Sequence, residues 1–361
     1  MLAVYVSGHG FGHATRIGEV LRAVRERAPR LEIAVSSSVP AFLFEGVVPP
    51  PLAVRRVACD VGLAQRDALV IDEAGTVTAW RAFMAGWDGL VTAEAAWLRE
   101  ARARLVVGDI PPLAFEAAHR AGLPSVAVGN FSWDWIYGHL APREPGLAEA
   151  AARARESYGH AKLLLRLPFA CDASAFRRVE DVPLVARRPA IAKAEARRRL
   201  GLDERPVVLM SFGGVGLPGL GPAAFRDLRG FRVLFTGAGA DGPAPPHFTK
   251  IDDAVVRAAG LGYPDLVGAA DVVVTKPGYG IVTDCIAAGT RLVYTDRGDF
   301  PEYPVMVAEM PRYLPAVFAS NEDVREGQLG PALEAVFSLP FPAPPRTDGA
   351  AVTAEKLLEL L

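Results

Sequence analysis

Leu2–Val6 is an apolar run that ends in Ser7-Gly8-His9-Gly10-Phe11-Gly12-His13. Residues 14–25 follow, with Ile17, Val20, Leu21 and Val24 at helical spacing. A short run that is apolar at every position suits a strand buried on both faces. Pro29 ends the helix, and residues 31–36 read as a second strand. Strand, glycine loop, helix and strand make a βαβ unit, which commits the chain to a parallel sheet with helices on its faces. The pattern restarts in the second half. Residues 206–211 form a strand followed by Phe212-Gly213-Gly214-Val215-Gly216, and later strands at 231–235, Val272–Thr275 and Arg291–Tyr294 each end in a glycine or threonine turn. At 361 residues the chain has room for two such domains. The irregular stretch after residue 168 puts the boundary near 186. We expect domains at 1–186 and 187–345, with a terminal helix, 346–361, packing back on the first.

Between these points, residues 46–52 hold three consecutive prolines and read as a loop. Residues 69–104 are mostly helical in pattern, with Trp80, Phe83, Trp87, Leu90 and Trp97 near 3.6 spacing, an aromatic core face. Residues 105–108 form a strand with Asp109 at its end, and residues 125–128 another, shortly before Asn130. Ligands of open α/β sheets collect at the carboxyl ends of strands. Asp109, Asn130 and the loop 8–13 all occupy such ends. Asn130-Phe131-Ser132-Trp133-Asp134-Trp135 mixes aromatic faces with a carboxylate, as sugar-binding surfaces do; a packed loop is the alternative. The basic cluster at 187–199 reads as a solvated helix face.

Several chemistries lack their residues. The first loop nearly matches the dinucleotide fingerprint, but His13 replaces the third glycine and Ser36-Ser37-Ser38 stands where a ribose acid belongs. Gly237-Ala238-Gly239-Ala240-Asp241-Gly242 matches it formally, but prolines at 243, 245 and 246 follow instead of a helix. There is no P-loop, no nucleophile elbow, no D-x-D and no zinc-like histidine spacing, so no metal and no cofactor are expected. A formal net charge of -2 gives no reason to expect nucleic acid. Cys59, Cys171 and Cys285 are isolated, which fits a reducing cytoplasm. No signal peptide is expected and no apolar run is long enough for a membrane span. Peripheral membrane contact stays open.

Two stretches of the second half suit phosphate. Gly213, Gly214 and Gly216 leave backbone N–H groups accessible. Thr275-Lys276-Pro277-Gly278-Tyr279-Gly280 leads into a helix carrying Thr283 and Asp284. That helix N-terminus favours an anion. Asp284 is placed either to accept two ribose hydroxyls or to face the helix dipole. Asp296-Arg297-Gly298-Asp299 is placed to hold sugar hydroxyls.

Taken together, these residues resemble the GT-B glycosyltransferases, in particular the group with the lipid-II-forming N-acetylglucosaminyltransferase and the UDP-glycosyltransferases. The shared marks are Gly12-His13 after the first strand, the Gly213–216 turn, and Pro277-Gly278 with an acid at 284, here Asp rather than Glu. The chain is still more similar to the N-terminal, glycosyltransferase-like region of plant arabinokinases. That likeness runs through Gly8-His9-Gly10-Phe11-Gly12-His13-Ala14-Thr15-Arg16, Asn130-Phe131-Ser132-Trp133-Asp134 and Gly278-Tyr279-Gly280, over most of the chain. It does not imply kinase activity. The resemblance implies an α/β GT-B fold, two Rossmann-like domains with parallel sheets facing across a cleft. It implies His13 as general base oriented by Asp109, with His9 as second choice. Gly10, Gly12, Gly213, Gly214, Lys276, Gly278, Tyr279, Gly280, Thr283, Asp284, Asp296 and Asp299 fall on the donor side. His9, Asn130, Trp133 and Asp134 fall on the acceptor side. The implied reaction is inverting, metal-independent transfer from a nucleotide-diphosphate sugar, UDP-sugar favoured, to a hydroxyl of a small-molecule or lipid-linked acceptor. A non-catalytic nucleotide-sugar binder and a nucleotide-sugar 2-epimerase are the rivals.

Overall fold

The computed structural model describes residues 1–65, 70–212, 220–237 and 241–361. Its first sheet is built from β1 (Leu2–Val6), β2 (Ile33–Ser37), β3 (Leu52–Arg56), β4 (Leu105–Asp109), β5 (Ser125–Gly129), β6 (Leu163–Arg166) and β7 (Val179–Asp181). The strands lie in the order β3-β2-β1-β4-β5-β6-β7, and every pair is parallel. Every residue of β1, β2, β4 and β5 is buried, including the polar Ser36, Ser37, Asp109 and Ser125 that interrupt their mainly apolar runs. Each fully buried Val or Leu in such a strand contributes roughly 1.5–3 kcal/mol.

The second sheet holds β8 (Val207–Ser211), β9 (Arg232–Thr236), β10 (Phe248–Lys250), β11 (Val272–Thr275), β12 (Arg291–Tyr294) and β13 (Ala316–Phe318), in the order β10-β9-β8-β11-β12-β13. All its pairs are parallel too. Its core gathers Val208, Met210, Phe225, Phe235, Val274 and Leu333. The chain divides into two compact units: Met1–Arg66, Ile71–Val185 and Arg346–Leu361 form one, and Ala186–Pro345 the bulk of the other.

Strand order sets where function sits. In the first sheet the chain builds outward from β1 through β2 to β3, then returns to place β4 on the other side of β1. The carboxyl ends of β1 and β4 therefore meet at a topological switch point, the place where open α/β sheets bind ligands. The register pairs Val6 with Asp109, and Ser7 N–H donates to the Asp109 carbonyl at 2.8 Å. The second sheet repeats this at β8 and β11.

Several elements depart from the expectations. The helix after β1 is Phe11–Arg27, starting three residues early, because Gly10 at φ 88° turns the chain straight into it. The helical stretch expected over 69–104 is two helices, Glu73–Met84 and Trp87–Glu100, broken around Gly86. Leu52, placed in a loop, opens β3. Residues 133–135, also read as loop, begin the helix Trp133–Leu140. The final helix, Gly349–Leu360, belongs to the first unit; a Cβ on Gly349 would lie 2.1 Å from the Pro183 carbonyl oxygen, so glycine permits the close approach. Among the described residues no helix is long and apolar enough to cross a membrane.

His119 and His160 stack in the first unit with ring centroids 3.9 Å apart. Burial, then the neighbouring His119, hold the His160 pKa below its ordinary value, although Glu116 lies 3.6 Å away. The unfolded chain then binds its proton first. The contribution to stability is complete above about pH 6.5 and is lost as pH falls through the folded-state pKa. Thermal melts from pH 7.5 downward are expected to show this loss, and it is expected to shrink in His119→Gln.

Candidate active site

At the switch point of the first sheet, three side chains lock together. Asp109 ends β4 and is wholly buried. His13 and Arg16 lie three residues apart on one face of the helix Phe11–Arg27, both nearly buried. His13 Nδ1 lies 2.9 Å from Asp109 Oδ1. Arg16 donates through Nε to Asp109 Oδ2 at 2.6 Å and through Nη2 to Oδ1. Burial would push the Asp109 carboxyl up, but Arg16 and His13 more than offset it and hold it below the usual carboxylate range. Arg16 Nη2 is also 3.1 Å from His13 Nδ1. A guanidinium has only donors, so the anionic carboxylate is the partner that receives an Nδ1–H. In that tautomer Nε2 carries the free lone pair, the arrangement a general base requires.

Around this triad the expected acceptor-side residues are more enclosed than a sugar-facing strip. Asn130 is buried; its Oδ1 accepts from Arg16 Nη1 at 2.6 Å and its Nδ2 donates to the Phe169 carbonyl at 3.3 Å. It holds the arginine in place. Trp133 is wholly buried, stacks on Tyr137, and donates through Nε1 to Asp60 Oδ2 at 2.8 Å. Asp134 is buried near the start of its helix, accepting from Ser132 Oγ and, at 3.2 Å, from Arg155. His9 is half-buried, edge-on to Trp133, and its Nδ1 accepts from Leu63 N–H at 3.3 Å. Gly12 is exposed.

In the second unit β11 ends at Thr275, and Lys276, Pro277 and Gly278 lead into the helix Tyr279–Ala288. No side-chain hydrogen bond caps that helix at Gly278, and its first turn has no acid, so its N-terminal end carries the positive end of the helix dipole. Thr283 Oγ1 donates to the Gly280 carbonyl at 3.1 Å. Tyr279 is buried, Lys276 and Asp296 are half-buried, and Asp299 is exposed. Gly213 and Gly214, with the rest of 213–219, lie outside the described residues, as do residues 238–240 of the second fingerprint match.

Asp284 differs from the ribose-binding expectation. It is buried, and Arg187 takes both its oxygens: Nη2 to Oδ2, and Nε and the backbone N–H to Oδ1 at 3.3 Å each. Burial pushes the carboxyl up, and Arg187 offsets only part of this. An Asp is one methylene shorter than Glu, and at this depth in the helix it reaches the incoming chain of its own unit. In the basic cluster, Lys193, Arg198 and Arg199 of the helix Lys193–Arg199 are exposed, as a solvated face requires, while Lys193 and Arg197 also pair with Asp271 and Arg187 lies before the helix.

Arg16, Asp60 and Arg187 carry contacts here that no motif role announced. Arg16 had one available signal, its i+3 spacing from His13 on a helix. Asp60 and Arg187 lie outside regular elements and had none.

Comparison with known proteins agrees with this architecture. No family model matches the chain. The calicheamicin glycosyltransferase superposes with a TM-score of 0.63 at 16% identity, covering 99% of this chain and 94% of that one. A UGT transferase from Siraitia grosvenorii, solved with UDP, gives 0.59 at 15% identity and 99% coverage of both chains. The fold is that of the GT-B glycosyltransferases. In sequence, the chain is 34% identical over 343 residues to the L-arabinokinase of Arabidopsis thaliana, spanning 94% of this chain and 32% of that protein. It thus covers about a third of the length of the curated relative it matches.

Proposed function

We propose that this GT-B protein transfers a sugar, with inversion and without a metal, from a nucleotide-diphosphate sugar to a hydroxyl acceptor. The observation that carries the reading is the His13–Asp109–Arg16 cluster at the carboxyl ends of β1 and β4. His13 Nε2 takes the acceptor hydroxyl proton as that oxygen bonds to the anomeric carbon. The bond from that carbon to the diphosphate oxygen breaks, and the nucleoside diphosphate leaves with the electron pair. A single displacement inverts the centre. Asp109 fixes the tautomer of the ring, and Arg16, held by Asn130, neutralises the buried carboxylate. The N–H groups at Gly278, Tyr279 and Gly280 meet the leaving diphosphate. UDP-sugars are favoured as donors, since the UGT transferase likeness is to a protein solved with UDP.

A non-catalytic nucleotide-sugar binder is the second reading. The sequence likeness favours it, because the chain matches about a third of an L-arabinokinase, a protein named for a different chemistry. One pair of assays separates the two. A nucleotide sugar at 100 times its Kd is expected to add about 2.7 kcal/mol of stability in a thermal-shift titration. Transfer further requires release of free nucleoside diphosphate when an acceptor pool is supplied. Stabilisation without release establishes the binder; neither effect overturns both.

A further inference from the structure

The charges around His13 do not balance once its ring is protonated. Arg16 bonds to both oxygens of Asp109, so that carboxylate already faces a full positive charge. Arg16 Nη2 also lies 3.1 Å from His13 Nδ1, and a guanidinium there opposes an imidazolium. With a proton on His13 the three groups together carry a net positive charge in a nearly buried place. One further anion close by would remove that excess.

Asp60 is such an anion. It lies in the loop after β3, at the carboxyl edge of the same sheet. Its Oδ1 accepts from the Gly8 N–H at 3.3 Å, its Oδ2 from Trp133 Nε1 at 2.8 Å, and the Ser7 hydroxyl donates to it as well. All three donors are neutral, and a donor at each oxygen suits the ionised carboxylate. Burial pushes the Asp60 pKa up, and Ser7, Trp133, His13 and Gly8 oppose the rise without cancelling it. Of these four, His13 is the chargeable one.

Two paths bring Asp60 to His13. Gly8 opens the glycine loop that closes in His13. Trp133 stands edge-on to Phe131, and Phe131 edge-on to His13, with centroids 5.6 Å apart at each step. His9, the other titratable group of the loop, leans edge-on against Trp133, and its Nδ1 takes the Leu63 N–H.

We propose that Asp60 is the counter-charge of protonated His13: held by Gly8 and Trp133, it stabilises the imidazolium through space and makes His13 a stronger base. Asp60 touches no reacting atom in this role and acts through His13, as a positioning residue. Its part in turnover rests on the transfer reading; its pairing with His13 does not.

The test titrates the His13 ring by NMR in the ligand-free full chain, with His13→Ala to assign the signal. Removing a nearby negative charge disfavours the imidazolium, so Asp60→Asn is expected to move the His13 titration to lower pH. Asp60→Glu, which keeps the charge, is expected to hold it near wild type. Asp60→Ser, with room for a water to meet the two N–H groups, is the second neutral variant should Asp60→Asn not fold. Turnover is read as nucleoside-diphosphate release from a UDP-sugar with an acceptor pool. There Asp60→Asn is expected to lower kcat about tenfold and to move the acid limb of the pH–rate profile to lower pH, with donor affinity unchanged. A merely structural Asp60 would lower the rate without moving that limb. A His13 titration unmoved in the folded neutral variants, or moved as far by Asp60→Glu, would overturn the inference. A shifted titration in a protein that never releases nucleoside diphosphate refutes transfer and leaves the pairing standing. Release with an unmoved titration does the reverse.

Discussion

Arg16→Met is expected to cost the first unit about 3–5 kcal/mol, the usual penalty for stranding one member of a buried ion pair. Asp109 is wholly buried, and both its oxygens bond to the Arg16 guanidinium. Methionine fills much of the volume but supplies no donor, leaving His13 as the one charged or chargeable partner named for the carboxylate. The effect has a signature in pH as well as in size. In the native protein the Asp109 pKa is depressed, so its contribution to stability is present above about pH 4 and is lost as pH falls through the lower folded value. Without Arg16, burial is no longer offset and the pKa moves above the ordinary range. The sign then reverses, and the Asp109 contribution worsens as pH rises from about 4. Urea melts at several pH values check this, taking the difference between wild type and variant so that other groups such as Asp60 cancel. A flat difference across pH 3–7 would show that Arg16 does not hold the charge of Asp109. Asp109→Asn combined with Arg16→Met is expected to recover part of the loss, since it removes the stranded charge.

The parts of this molecule legible from sequence are those whose cause is local. Leu2–Val6, Leu105–Asp109 and Val272–Thr275 sit inside their sheets, where burial on both faces favours a mainly apolar run, polar only at its carboxyl end in the last two. The edge strands β3, β7, β10 and β13 are three to five residues long, and each carries half-buried or exposed positions, so no pattern marks them. Asp109 stood out because it ends a strand, and His13 because it closes the glycine loop that follows one and lies in the first turn of the next helix. Arg16 did not, because its value comes from a carboxylate 93 residues away. The same holds for Arg187 and Asp284, 97 residues apart. A helix carboxylate looks available until the chain returns with a guanidinium. The aromatic spacing through residues 80–97 shows the limit from another side. Periodicity places Trp80 and Trp87 inward, and both are nearly buried, yet it does not reveal that they wall a pocket shared with Asp60.

His13→Ala is the second large effect, and it falls on rate rather than on stability. If Nε2 carries the acceptor proton, its removal is expected to lower kcat about 10²–10⁴-fold. Donor affinity should stay near wild type, because the diphosphate is assigned to backbone groups of the second unit. The substitution leaves both Arg16–Asp109 hydrogen bonds and the Arg16–Asn130 contact in place, so the fold is expected to survive it. That separates it from Arg16→Met, where lost activity would follow from lost structure. His9→Ala provides the contrast. His9 Nδ1 is engaged by Leu63 N–H and its ring leans on Trp133, so its loss should shift the loop and change the rate far less than loss of His13. Measured as nucleoside-diphosphate release under saturating donor, a His13→Ala rate within a few-fold of wild type would remove His13 as the base. A greater loss from His9→Ala than from His13→Ala would move that role to His9. The cluster at Asp109 would then be a packing device, a buried arginine–carboxylate pair fastening the first helix to the centre of its sheet.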